Sequence, residues 1–490
     1  MNIRTVYCNP MPTEQLPSQS ISQLSARERQ AIRIIPYIVG CALFMQMLDA
    51  TVVATALPMM AQALGTDVVR MNTIITSYLL AVAVFVPISG WAADRFGARR
   101  VFIAAVLLFT LSSVACAASQ TLPQLIAARI VQGVAGAMMV PVGRIIMLRR
   151  VPKDELLGAM AVLSLPALLG PIIGPPVGGF FVTYMSWHWI FLMNVPVGIL
   201  GIFLILKFIR VDVIADKPPL DWFGFILSAT ALACLVISFE SFGHSEFTPR
   251  QLALLLSTGL ITALWYIWHA RHTAFPILDL SLLKTRSFAV SILGGNLCRF
   301  ALGSVPFMLA ILLQLGFGLS PMTAGLVTFT SAVGALVIKP LAPAIIRRFG
   351  YRTVLMYNAL LTGLFIAVCA VFNEQTSLWV ISLVLAIGGL FRSLQFTAVN
   401  TLTYVDLSQN AMSRASSFAA MAQQLGISLG VACAAITLNI SMQLHGNISV
   451  NQNDLFWGFI VMGLLTALSF FSFKRLPRRQ PDFASSSKKE

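Results

Sequence analysis

Fourteen apolar stretches of about 20 residues, divided by short polar turns, make up most of this chain. They fall at roughly 34–59, 71–92, 101–119, 122–147, 157–181, 189–210 and 222–240 in the first half. They continue at 251–269, 287–314, 321–343, 353–372, 377–403, 414–438 and 455–474. At about 1.5 Å per residue, a helix of that length matches the hydrocarbon core of a bilayer. In hydrocarbon every backbone polar group needs an internal partner, so such runs are read as helices. Only 10% of the 490 residues are charged, against about 25% in soluble domains. The fold class expected is an all-α polytopic membrane protein with 14 transmembrane helices. Residues 1–33 are polar and lack the apolar core of a cleaved signal peptide, which predicts an N-terminal tail.

A net charge of +15 invites a nucleic-acid reading, but its distribution argues otherwise. With the N-terminus inside, basic residues gather in alternate turns: Arg95, Arg99 and Arg100, then Arg149, Arg150 and Lys153, then Lys207, Arg210 and Lys217. The pattern continues through Arg271, Lys284, Arg286, Arg347, Arg348 and Arg352 into Lys474, Arg475, Arg478 and Arg479. The opposite turns hold only Arg70 and Arg250. This positive-inside pattern predicts that both termini are cytoplasmic, and it makes the partner a lipid bilayer and not nucleic acid.

Residues 169–179 read Leu-Gly-Pro-Ile-Ile-Gly-Pro-Pro-Val-Gly-Gly, a composition that would be loop in water. Here the run lies within an apolar stretch. A helix carrying Pro171, Pro175 and Pro176 is tolerated in a membrane because neighbouring helices satisfy the groups that proline frees. Gly170, Gly174 and Gly178 share one helix face and admit close approach of another backbone, while Gly179 extends the run.

The chain also repeats itself. Arg95-Phe96-Gly97 aligns with Arg348-Phe349-Gly350 at an offset of 253 residues. That offset carries a six-span block at 34–210 onto another at 286–476, a known plan for transporters. Residues 211–285 then hold two additional spans and linkers, and 477–490 a cytoplasmic tail.

Five motifs stand in order along the chain. They are Leu48–Pro58, the loop Gly90–Arg100, Arg129–Gly133, Gly174–Gly179, and Trp187–Phe191 followed by Asn194–Gly198. Together they resemble the major facilitator superfamily, in its 14-span drug:proton antiporter branch of EmrB/QacA type. The resemblance covers nearly the whole chain. It implies that Gly170, Pro171, Gly174, Pro175, Pro176, Gly178 and Gly179 are the antiporter motif. It implies that Gly90, Asp94, Arg95, Gly97, Arg99 and Arg100 are a gating loop, with Asp94 holding the cytoplasmic side closed. The second-half loop departs from the pattern, with Arg347 where Asp94 would align.

Asp49 is the only carboxylate well inside a span, since Glu240 sits at a span end. An ionisable group at membrane depth is expensive, which makes function its default reading. Arg129 lies at a comparable depth, roughly 10 Å against roughly 15 Å, and is the expected partner. The pair is expected to couple protons. A salt bridge that only orients two helices is the bland alternative.

Arg299 and Arg392 also lie inside spans and are expected to face the substrate cavity. Arg144 and Lys339, near inner ends, are expected to snorkel to the interface. Met45, Gln46, Phe300, Phe307, Phe391, Phe396 and Asn400 complete a candidate wall for amphipathic ligands. The seven cysteines show no metal spacing and read as packing residues. No phosphate-binding glycine loop or zinc-type histidine pair appears, so neither an enzyme nor a cofactor is expected.

The expected function is a proton-coupled exporter of small molecules across the bacterial inner membrane, driven by the proton gradient through alternating access. A monomer is expected, with room for a periplasmic accessory protein. The rival readings are an exporter of an endogenous metabolite and a non-transporting sensor on the same fold.

Overall fold

The computed structural model describes residues 26–66, 68–152, 155–210, 219–241, 247–446 and 450–477. Among them there is no strand. The first helices are α1 (Ala26–Ala63), α2 (Val68–Phe85), α3 (Ile88–Phe96), α4 (Ala98–Ala117), α5 (Leu122–Arg150) and α6 (Leu156–Tyr184). Then come α7 (His188–Leu192), α8 (Asn194–Phe208), α9 (Trp222–Glu240), α10 (Pro249–His272) and α11 (Arg286–Ala310). The last are α12 (Pro321–Val337), α13 (Ala342–Val368), α14 (Leu378–Val405), α15 (Met412–His445) and α16 (Gln452–Lys474).

Helical segments stand at each of the fourteen predicted spans. Eleven are long and apolar enough to cross a bilayer, or twelve if the bent pair α2–α3 counts as one. The other two are α6, 29 residues long, and α12, which at 17 is the shorter. The second span, 71–92, is a single apolar stretch in the sequence. It bends by 59° between Phe85 and Ile88, where Pro87 supplies no N–H. The tenth turns at the equivalent Pro340.

Gly97 follows α3 with φ 90°, and Gly350 interrupts α13 with φ 75°. The sequence repeat is therefore a repeat of backbone shape.

Helices α1 to α8 pack mainly on one another, and α11 to α16 do the same. At the end that carries Gly97, one core joins both groups, with Ile146, Met147 and Leu148 beside Met412, Ala415 and Phe418. Towards the other end the cores part. Val52, Ile74 and Phe191 belong to the first group, and Val305, Ile381 and Phe459 to the second. The helices thus close together at the end rich in arginine. The pair α9–α10 packs outside, with α9 touching both α2 and α15.

Candidate functional site

Asp49 lies on α1 at 1% exposure, and α5 presents Arg129 to it at the same 1%. An Nη1–H of Arg129 donates to Asp49 Oδ2 at 2.6 Å. Arg129 and Gln132 stand three residues apart on one helix face, which brings both side chains to the acid. Nη1 of Arg129 also donates to Gln132 Oε1 at 2.6 Å, and Gln132 Nε2 donates to Asp49 Oδ1 at 3.1 Å. Asn194, in the first turn of α8, donates to the same Oδ1 at 3.0 Å. Ser113 of α4 accepts from both amides, at 2.8 and 3.2 Å. The Tyr78 ring covers the guanidinium at 4.3 Å. A buried ion pair is tolerable only when its remaining lone pairs and protons are satisfied, and this network does that.

The sequence reading found the acid and the arginine but missed Gln132, Asn194, Ser113 and Tyr78. Gln132 and Asn194 were visible inside the quoted motifs. Ser113 and Tyr78 carried no signal beyond a polar group in an apolar stretch. Gly133 shows why the motif ends in glycine, because a Cβ there would stand 2.6 Å from the Tyr78 carbonyl oxygen.

On its other side α1 meets the glycine face of α6. A Cβ at Gly170 would lie 2.6 Å from Met47 Cβ. At Gly174 and Gly178 it would lie 2.1 and 2.0 Å from the hydroxyls of Thr51 and Thr55. Three glycines thus interlock with three α1 residues at the same four-residue spacing. Thr51 also donates to the Gly170 carbonyl at 3.4 Å. Gly179 faces open space, and Pro176 is exposed. The side chains of Pro171 and Pro175 lie outside the described residues.

At the arginine-rich end the two helix groups are stitched together by hydrogen bonds. Asp94 Oδ1 accepts from Arg149 Nη2 and from the Ser413 hydroxyl, each at 2.6 Å. Ser413 opens α15, so the carboxylate sits beside a helix N-terminus, where negative charge is favoured. The N–H of Gly90 donates to Ser417 Oγ at 2.7 Å, and a Cβ at Gly90 would come within 2.6 Å of the Ser413 carbonyl oxygen. The Ser416 hydroxyl donates to the Pro141 carbonyl at 3.0 Å. Of the gating-loop arginines, Arg99 binds the Leu206 carbonyl at 2.9 Å, Arg95 is half-buried, and Arg100 is exposed.

Two expectations are corrected here. Arg144 is 7% exposed and Lys339 is 2% exposed, so neither snorkels. Arg144 donates to Tyr404 OH of the other group at 3.2 Å, and Lys339 donates to Thr397 Oγ1 at 2.9 Å. The closed end leaves them no apolar path to the interface.

In the second group, Arg299 is buried and donates to Asn296 Oδ1 at 3.0 Å and to Asn400 Oδ1 at 3.1 Å. Arg392 is half-buried and donates to the Ser331 hydroxyl. Both arginines and Phe396 line one small cavity. Asn400 joins them through its bond to Arg299, and the other candidate wall residues do not. Met45 lines a separate cavity inside the first group, together with Val106 and Val197. Gln46 lies beside Tyr78 under Gly136. Phe300 backs onto Gly430, Phe307 onto the second-group core, and Phe391 onto the Phe365 ring at 5.4 Å.

Many apolar helices in two groups, a buried acid held by an arginine, and a bonded seam at one end are the build of a membrane transporter. The chain belongs to the Major Facilitator Superfamily, whose sequence model matches residues 39–431 and again 291–490. It is therefore a multi-pass membrane transporter and not an enzyme. The chain is 40% identical over 456 residues to the putative multidrug resistance protein MdtD of Cronobacter sakazakii, covering 91% of this chain and 95% of that one. It is 38% identical over 445 residues to the protein of the same name from Escherichia coli O6:H1, covering 90% and 94%.

Solved structures agree on the fold. The human organic anion transporter MFSD10 superposes with a TM-score of 0.63 at 16% identity, covering 90% of this chain and 99% of that one. The proton:xylose symporter XylE does so with a TM-score of 0.62 at 15% identity, covering 91% and 96%.

Proposed function

We propose that the protein exports amphipathic small molecules, drugs among them, from the bacterial cytoplasm in exchange for protons. The observation that carries this reading is the sealed Asp49–Arg129 pair. A carboxylate at membrane depth, held by one cation and two amides, is a site that protonation would release. Protonating Asp49 removes the attraction that holds Arg129, and α1 and α5 are then free to shift. The multidrug-resistance names of the relatives support the substrate class.

The helices of 34–210 and 286–476 act as two bundles that rock about a central site, with 211–285 as an insert. The arginine-rich end is the cytoplasmic one, by the positive-inside pattern. Residues 1–33 and 477–490 are the cytoplasmic tails, of which 1–25 and 478–490 lie outside the described residues. On that orientation, the hydrogen bonds at this end support reading the arrangement as closed to the cytoplasm. The coupling pair comes from one chain, which suits a monomer without a cofactor. A periplasmic accessory protein would dock at the opposite end.

Inverted membrane vesicles with an acid interior test this. A fluorescent substrate should accumulate when the pH gradient is imposed and leak back when a protonophore collapses it. Accumulation indifferent to the gradient would overturn proton coupling.

A further inference from the structure

Two arginines share a cavity inside the second group, a third reaches that group from the first, and none of the three is paired with a carboxylate among the described residues. Arg299 and Arg392 project from facing sides of α11 and α14 into the same cavity, together with Cys298, Thr362, Gln395 and Phe396. Arg144 of α5 reaches across to Tyr404, one turn along α14 from the Asn400 that holds Arg299. The hydrogen-bond acceptors of the three are neutral oxygens: Asn296 and Asn400 for Arg299, Ser331 for Arg392, and Tyr404 for Arg144. No ion pair joins any of the three to an acid among the described residues.

The site is also incompletely satisfied. Arg299 is 3% exposed, yet its Nε–H has no partner. Thr362 is 2% exposed, and its hydroxyl has none either. Buried polar groups in a finished core are almost always paired, and buried cations are paired with anions. Arg129, the most deeply buried arginine of the first group, by contrast has its acid in Asp49. Compensation in the second group has to come from outside the chain.

We infer that Arg299 and Arg392 form an anion subsite, and that transported molecules carry at least one carboxylate or comparable acidic group bound there. Phe396 supplies an aromatic surface for the apolar part of such a molecule. The inference deepens the proposed function by naming the charge of its substrates. Binding at the subsite requires no proton gradient, so it stands or falls separately from proton coupling.

The test is equilibrium binding to the purified full-length protein in detergent, read by fluorescence polarisation with two dyes of one scaffold. Fluorescein carries negative charge and rhodamine 6G positive charge. Fluorescein should bind saturably and more tightly, with an affinity that falls as salt rises. Arg299→Gln and Arg392→Gln should each weaken fluorescein by about tenfold or more and leave rhodamine 6G unchanged or tighter. Arg299→Lys, which keeps the charge, should retain more affinity than Arg299→Gln and guards against a variant that merely misfolds. Arg250→Gln, which removes an exposed arginine at the start of α10, should bind fluorescein as wild type does. Equal affinity for the two dyes, equal losses for both in the glutamine variants, or no saturable binding of fluorescein would overturn the subsite.

Discussion

Gly97 and Gly350, placed alike after the second span of each repeat, share a positive φ, at 90° and 75°. A side chain at either would be strained by about 1–3 kcal/mol. Each glycine turns the chain sharply between two helices at the arginine-rich end. Gly97→Ala and Gly350→Ala should therefore each lower the unfolding temperature by a few degrees. Differential scanning fluorimetry of the purified protein reads this directly. Unchanged stability for both would mean that the backbone relaxes elsewhere.

Asp49→Asn should leave a folded protein that no longer couples. The amide matches the carboxylate in size but cannot release a proton. It also leaves Arg129 buried without its counter-charge, a change that costs about 3–5 kcal/mol when a buried pair is broken. The variant should thus be measurably less stable and inactive in pH-driven efflux from proteoliposomes. Adding Arg129→Gln should recover stability without recovering transport. Wild-type efflux by Asp49→Asn would refute the coupling role.

Asp94→Ala should move the equilibrium towards the state open at the arginine-rich end. The Ser413 contact crosses between the helix groups, so it stabilises only the closed state, and only such a differential contact shifts a population. One charged hydrogen bond at this partly exposed site suggests about 1 kcal/mol, or about fivefold in the ratio of states. Cysteine-accessibility labelling at that end, in a background free of native cysteines, should rise accordingly. Ser413→Ala should act in the same direction, and identical labelling in wild type and both variants would reject the latch.

The glycine run makes a prediction with an internal control. Gly170→Ala forces a methyl to within 2.6 Å of Met47 Cβ and 2.9 Å of the Leu48 nitrogen, part of the backbone itself. Overpacking of that kind costs about 1–3 kcal/mol. Gly179→Ala meets nothing within 4 Å. Transport and stability should fall for the first and stay near wild type for the second. Equal behaviour would show that the seam does not constrain the helices.

Much of this was legible in the sequence because membranes simplify the code. An apolar run of 20 residues admits few structures, and a lone deep acid stands out against it. The helical segments, the repeat, the Asp49–Arg129 pair and the glycine face were all readable for that reason. Partners that are merely polar were not, because Ser113 and Tyr78 look like any tolerated residue until the fold sets them beside Asp49. The fate of Arg144 and Lys339 was equally hidden. Snorkelling and burial begin from the same position along a helix, and only the packing of the other group decides between them. The bend at Pro87 is not registered by apolar length, which counts residues and not their direction.

The seam between α1 and α6 bears on how a proton could be felt far from where it lands. Thr51, locked against Gly174, is two residues from Asp49 on the same helix. Neighbours that interlock over three successive steps cannot roll past each other without lifting teeth from sockets. α1 and α6 therefore travel as one beam, with the acid on one flank and the glycine teeth on the other. If protonation frees the acid from Arg129, the beam would loosen from α5, and its far end, where Leu157 of α6 shares a core with Ile338, Ala342 and Ile346, would carry the displacement to the opposite helix group.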